Sequence, residues 1–183
     1  MTGYETLYPE LHRPARWAWA VDATFTTAAP PDELVTNVHV AGFVGDRVVI
    51  CRDRRDVWML PGGTREEGET IDACAAREMI EETGARIDTP LVWIGHHDCL
   101  SLRPEPYKPW QPHPRKAWLW CYADVTVAGE PTGADDGEDI VEVRVATVDE
   151  ACDLLRADSA VFGSEDAIPS LIRIAADLRG RAL

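Results

Sequence analysis

GGTREEGETIDACAAREMIEETGA, residues 62–85, passes from a glycine turn through an acidic loop into a helix-forming run, and its reading decides the fold. Thr70 has the chemistry of a helix N-cap, and Gly84 suits the position just past a helix, where glycine adopts a left-handed conformation at little cost. A helix over 70–83 is therefore predicted. Glu78, Glu81 and Glu82 stand at i, i+3 and i+4. At about 100° per residue, Glu78 and Glu82 come within roughly 40° of each other. Like charges so placed, near the negative end of the helix dipole, cost stability unless a cation answers them. Arg77 can meet Glu81 one turn on, but one guanidinium does not neutralise three carboxylates. What remains is a hard, oxygen-rich site of the kind Mg²⁺ or Mn²⁺ prefers. Three helical glutamates alone equally describe a solvated acidic face. The loop before them, with Glu66, Glu67, Glu69 and glycines that let backbone carbonyls turn inward, favours one combined site.

The strand pattern extends outward from this stretch. Val57–Leu60 reads as a strand entering the glycine turn, and Val35–Val44 with Arg47–Cys51 reads as a hairpin around Gly45-Asp46. Strands are predicted at Leu91–Leu100, Ala117–Val127 and Ile140–Val148, and helices at Asp149–Arg156 and Ile168–Arg179. Strands interspersed with helices in this order predict an α/β fold, a mixed β-sheet covered on both faces. Residues 1–33, with Trp17 and Trp19 in alternation and a Pro30-Pro31 turn, read as an N-terminal extension with an edge strand, and residues 34–183 as the main domain.

With 45% hydrophobic and 27% charged residues, the 183-residue chain has the composition of one globular domain. A net charge of −14 repels polyanions, so no long nucleic acid is expected as a partner. A small phosphorylated substrate stays compatible, because a bound divalent cation inverts the local potential. Five cysteines, an odd number without C-x-x-C spacing, read as reduced, buried thiols. No stretch has the length of a membrane span and no signal segment is recognisable, so no membrane and a cytoplasmic location are expected.

Read whole, residues 63–85 resemble the Nudix signature G-x₅-E-x₇-R-E-U-x-E-E-x-G-U, where U is apolar. Gly63, Glu69, Arg77, Glu78, Glu81, Glu82 and Gly84 fill its fixed positions, and Met79 and Ala85 its apolar ones. The match is specific, because seven residues recur at fixed spacing. The resemblance implies a Nudix-type α/β/α sandwich over about residues 34–160 and Mg²⁺-dependent hydrolysis of a nucleoside diphosphate linked to another moiety. By the same resemblance Glu78, Glu81 and Glu82 are the metal ligands, joined by the carbonyl of Gly62. Arg77 and Glu69 form an ion pair that orients them, and Glu82 is the first choice of general base. The acidic turn 133–139 lies about where many relatives place a further ligand or base, and Glu138 is the best single choice. Relatives often form homodimers. Members that only sense a ligand usually lose carboxylates of the signature, and this chain has kept all of them.

Outside the signature, residues 103–116 (RPEPYKPWQPHPRK) hold five prolines, two aromatic and five basic residues, the makings of a stiff loop that offers cations to phosphate and rings to a base or sugar. Lys108, Trp110 and Arg115 are its candidate substrate contacts. Trp118 and Trp120 share one strand face, as do Trp17 and Trp19, either pair serving as core or as a surface that stacks on a nucleobase, and Trp120 joins the candidate set. His96 and His97, being adjacent on a strand, point to opposite faces, so at most one approaches the site.

Overall fold

The computed structural model describes residues 3–133 and 140–182. In chain order it contains a one-turn helix α1 (Tyr4–Leu7) and strands β1 (Ala15–Trp17), β2 (Val21–Thr26), β3 (Val35–Val44), β4 (Arg47–Asp53), β5 (Trp58–Met59) and β6 (Gly62–Thr64). Helix α2 (Ile71–Thr83) follows, then β7 (Ala85–Ile87), β8 (Val92–Ser101), β9 (Arg115–Val127), β10 (Ile140–Ala146), α3 (Val148–Ser159) and α4 (Ala167–Ala182).

The main sheet runs β1-β2-β8-β9-β3-β4-β10, and only β3 and β9 pair in parallel along that path. Period-two alternation divides its side chains between two cores. Val38, Val40, Val49, Leu119 and Cys121 pack with Ile71, Cys74, Ala75 and Met79 of α2. Ala41, Phe43, Val48, Ile50, Trp120 and Tyr122 pack with Ala151, Cys152 and Leu155 of α3 and Leu171, Ile172 and Ala175 of α4. The result is an α/β/α sandwich with a mixed sheet. All five cysteines lie buried as thiols. Among the described residues no helix is long and apolar enough to cross a membrane.

Helix α2 forms where its caps dictate. Thr70 Oγ1 accepts the Ala73 N–H at 3.1 Å, and Gly84, at φ +65°, donates its N–H to Ile80 O at 3.0 Å. A side chain at Gly84 would run into the backbone of Gly129 as well, so space and conformation both demand glycine. The Gly45 turn, at φ +62°, joins β3 to β4 as the hairpin predicted from sequence.

Several elements differ from expectation. The entering strand shrinks to β5, and the glycine turn itself becomes a strand, β6, paired antiparallel with the first half of β3 while β4 pairs with the second half. The first residues do not stand apart. β2 pairs with β8 from Val21↔Ser101 to Thr26↔His96, and Tyr4, Leu11 and Phe25 enter the α3–α4 core.

Candidate metal and substrate site

The site grows from the point where β4 and β6 part along β3. Pairing of His39 with Gly62 and of Val38 with Gly63 draws the glycine turn tight against β3. Gly62 sits at φ +145°, and a Cβ there would overlap Val38 O and the His39 backbone. Its N–H donates to Glu82 Oε2 at 2.8 Å. At Gly63 a Cβ would overlap the carboxylate of Glu78. Two bare backbone positions thus let two helical carboxylates approach the turn, and those carboxylates, Glu78 at 5% and Glu82 at 2% exposure, are buried.

Arg77 organises the rest. Its Nε and Nη2 donate to Glu69 Oε1 and Oε2 at 2.9 and 3.1 Å, a two-bond fork. Its Nη1 serves both Glu78 Oε1 at 2.8 Å and Glu81 Oε2 at 3.0 Å, and Nη2 also reaches Thr64 O at 3.1 Å. The bond to Glu69 first, and the charges of Glu78 and Glu69 with it, hold the guanidinium above its ordinary pKa. Burial by itself would raise Glu69, but the bonds from Arg77 and the Glu66 N–H outweigh it and hold that carboxyl below the usual range.

The donors are carboxylate oxygens without a thiolate, since burial and the charges of Glu69 and Glu78 keep Cys74 protonated. That chemistry fits a hard divalent cation. In the present arrangement Glu78 and Glu81 share Arg77 and Glu82 bonds the Gly62 N–H. Among the described residues no three His, Cys, Asp or Glu side chains converge as a cation would draw them. Glu138 lies outside the described residues, and Glu142, on β10, pairs with Arg52 at 2.8 Å.

From Glu78, Gly62 and Gly63 a cavity of about 570 Å³ runs along the β3–β9 face. Its inner wall is aromatic. His39 lies flat on Trp120, centroids 4.6 Å apart at 21°, and Trp120 Nε1–H donates to His97 Nδ1 at 2.8 Å. Burial lowers His39 to about 4 and, with the nearby His96, His39 and His12, lowers His97 to about 3. Both rings are neutral at pH 7. Because the unfolded His97 titrates near 6.5, the unfolded chain binds the extra proton at pH 5 and the folded one does not. Stability is therefore expected to fall as pH drops below about 6.5, by about 2 kcal/mol at pH 5 from His97 alone. Denaturant midpoints at pH 7 and pH 5, for wild type and His97→Gln, measure it: the variant shows a smaller drop.

The proline loop also lines the cavity, through Arg103, Tyr107, Gln111 and His113. Strand parity then selects among the basic candidates. Lys116 shares the face of Trp118 and Trp120 and lines the cavity, whereas Arg115 points to the other face and forks onto Asp98 at 2.9 and 2.5 Å. Lys108 and Trp110 are also outside the lining, with Lys108 Nζ lying over the rings of Tyr107 and Trp110. Trp120 is the one substrate candidate of the four that lines the cavity. His96 is turned to Ala28 O at 2.9 Å and lines nothing there. Sequence reading missed His39, whose position opposite Trp120 follows only from the β3–β9 register. It also missed Leu155, Phe162 and Ile168, which the C-terminal helical segment brings to the cavity.

Comparison with known proteins gives the family. A model of the NUDIX domain matches residues 34–169. Nucleoside diphosphate-linked moiety X motif 6 of Xenopus laevis is 41% identical over 61 residues, 30% of this chain and 28% of that protein. The protein of the same name from Mus musculus is 40% identical over 63 residues, 31% of this chain and 20% of that protein. The match therefore spans less than a third of either relative. A mutant form of the Bacillus subtilis pyrophosphohydrolase BsRppH superposes with a TM-score of 0.53 at 19% identity, covering 73% of this chain and 76% of that one. A protein solved as an ADP compounds hydrolase gives 0.52 at 17%, covering 88% and 86%. At such identities the likeness is one of fold. Family match and fold together place it: the chain belongs to the Nudix hydrolase family.

Proposed function

We propose that the protein hydrolyses, with Mg²⁺ or Mn²⁺, a phosphoanhydride bond in a nucleoside diphosphate linked to another moiety or in a related small phosphorylated metabolite. One observation carries this reading: the buried carboxylates Glu78 and Glu82 are held at the glycine turn, and Glu78 opens on an aromatic-walled cavity of about 570 Å³. Burying two like charges side by side has a high cost in a purely structural role.

Glu78, Glu81 and Glu82, with the Gly62 carbonyl, would hold the divalent cation, which would supply charge neutralisation for the pyrophosphate and activation of a water. The chain's own residues do the rest. Arg77, fixed by the Glu69 fork, sets the directions of Glu78 and Glu81. Glu82 takes the proton from the attacking water. Arg103 and Lys116, which line the same cavity as Glu78, offer cations to the substrate's phosphates.

Gly63→Ala tests the close approach of turn and helix. The added methyl displaces the Glu78 carboxylate, and turnover is expected to fall about 10–100-fold with a stability loss of about 1–3 kcal/mol. Initial rates and a denaturant melt of the same preparation measure both. The reading as a whole is tested by incubation with Mg²⁺ or Mn²⁺ and nucleoside triphosphates, sugar nucleotides, dinucleotides and prenyl diphosphates, with released phosphate or pyrophosphate as the readout. Release from at least one nucleotide substrate, lost in Glu78→Gln, is expected. Binding without any product would overturn hydrolysis in favour of a sensor.

A further inference from the structure

The acidic loop between β6 and α2 contains one cation, Arg65, at a position that the signature leaves unspecified between Gly63 and Glu69. Its side chain is 14% exposed and turns away from the glutamate side chains around it toward main-chain carbonyls. Nε and Nη2 donate to Glu69 O at 3.1 and 2.6 Å, and Nη1 donates to Asp32 O at 2.9 Å and Val35 O at 3.0 Å. Its contact with a carboxylate, Asp32 Oδ2 at 3.4 Å, is loose and lies on a side chain that is 69% exposed.

Such a guanidinium works as a buckle. It closes the loop over Glu66, Glu67 and Gly68 and fastens it to the turn Asp32–Leu34 and to the first residue of β3. Residues 64–69 include no apolar side chain, and Gly68 stands at φ +76°, so the path of the loop is decided by polar bonds. The Arg65 N–H adds one to Thr36 O at 2.9 Å, and Asn37 Nδ2 donates to Thr64 Oγ1 at 3.2 Å.

What the buckle holds is Glu69. Arg65 fixes its carbonyl, while its carboxylate takes the Arg77 fork and the Glu66 N–H, the latter at 2.9 Å. The residue is pinned at both ends. Arg77 in turn shares Nη1 between Glu78 and Glu81. Bonds of 2.6 to 3.1 Å thus run without a break from the turn before β3, through Arg65, Glu69 and Arg77, to two of the three carboxylates. The direction Arg77 gives to Glu78 and Glu81 is only as well defined as the place of Glu69.

We propose that Arg65 is a positioning residue for the metal centre: it fixes Glu69, and through it the Arg77 fork that directs Glu78 and Glu81. This rests on those glutamates holding a divalent cation, as the proposed function requires, but not on which bond is then cleaved. Carboxylates released from a set direction must be ordered again when the cation binds, so losing Arg65 weakens binding. A buckle that served the fold alone would lower stability and leave affinity where it was.

Calorimetric titration with Mn²⁺, on protein without substrate, reads that affinity. Arg65→Gln is expected to raise the Mn²⁺ Kd about tenfold or more, the range for groups that orient metal ligands. Arg65→Lys is expected to fall between, since one ammonium cannot reproduce a fork that serves Glu69 on one side and Asp32 and Val35 on the other. Arg179→Gln is the control for general loosening. It removes a guanidinium that is 22% exposed and bonds Asp124 Oδ1 at 2.7 Å, and the Kd is expected to stay close to that of wild type. Denaturant midpoints on the same preparations show that each variant is folded, and Arg65→Lys carries the test if Arg65→Gln is not. An unchanged Kd with a lowered midpoint would overturn the proposal, as would an equal rise in Arg179→Gln. Wild type that binds no Mn²⁺ would overturn it together with the metal reading. Binding that weakens in Arg65→Gln, in a protein that turns over none of the nucleotide panel, would sink hydrolysis and leave the positioning role standing.

Discussion

Glu82→Gln is expected to lower turnover by about 10²–10⁴-fold, the range for loss of a general base, with little change in stability. Glutamine keeps the shape and an oxygen for the Gly62 N–H, which now donates to Glu82 Oε2 at 2.8 Å. It removes the negative charge that both proton transfer and cation binding require. A carboxylate with 2% exposure carries a desolvation cost, so its neutral isostere leaves the fold as stable as before or slightly more so. Rate and denaturant midpoint on one preparation separate the two effects. Turnover within a few fold of wild type would move the base elsewhere.

Arg77→Leu is the counterpart, expected to damage stability and rate together. Arg77 supplies four carboxylate bonds and one to Thr64 O. Its loss leaves the buried Glu78 and the half-buried Glu69 without the shared guanidinium. Breaking a buried ion pair costs about 3–5 kcal/mol. Because the Arg77 side chain is 24% exposed, about 2–4 kcal/mol is expected here, or roughly 5–15 °C in thermal midpoint. Turnover should fall at least 10–100-fold through lost positioning of Glu78 and Glu81. A calorimetric scan reads the first quantity and initial rates the second. Arg77→Lys is expected to fall between, since a single ammonium cannot reproduce the fork onto Glu69.

Much of this was legible in residues 62–85, because capping, glycine conformation and charge spacing are local physics. Thr70 and Gly84 bracket the helix, and the alternation that gave the long strands is just as local. What escaped depends on pairing partners distant in the chain. β6 and β7 have three residues each, too few for a period to register. Their existence is decided by β3 and β9. The hairpin at Trp17 and Trp19 reads as an extension until its pairing with β8 is seen. In the cavity, the choice of Lys116 over Arg115 could have been made from sequence, since residues 116, 118 and 120 share a strand face and 115 does not. His39 and Phe162 had no such signal: one depends on a parallel register and the other on how the segment after α3 folds back.

In the proposed reaction the carboxylates of α2 work through a divalent cation on a phosphoanhydride bound in the aromatic cavity that Glu78 lines. The most direct test is the turnover rate of wild-type protein on the best nucleotide substrate, measured with Mg²⁺, after chelation, and after Mg²⁺ is returned. Loss on chelation and full recovery on return is predicted, and a rate that survives removal of the cation would contradict it.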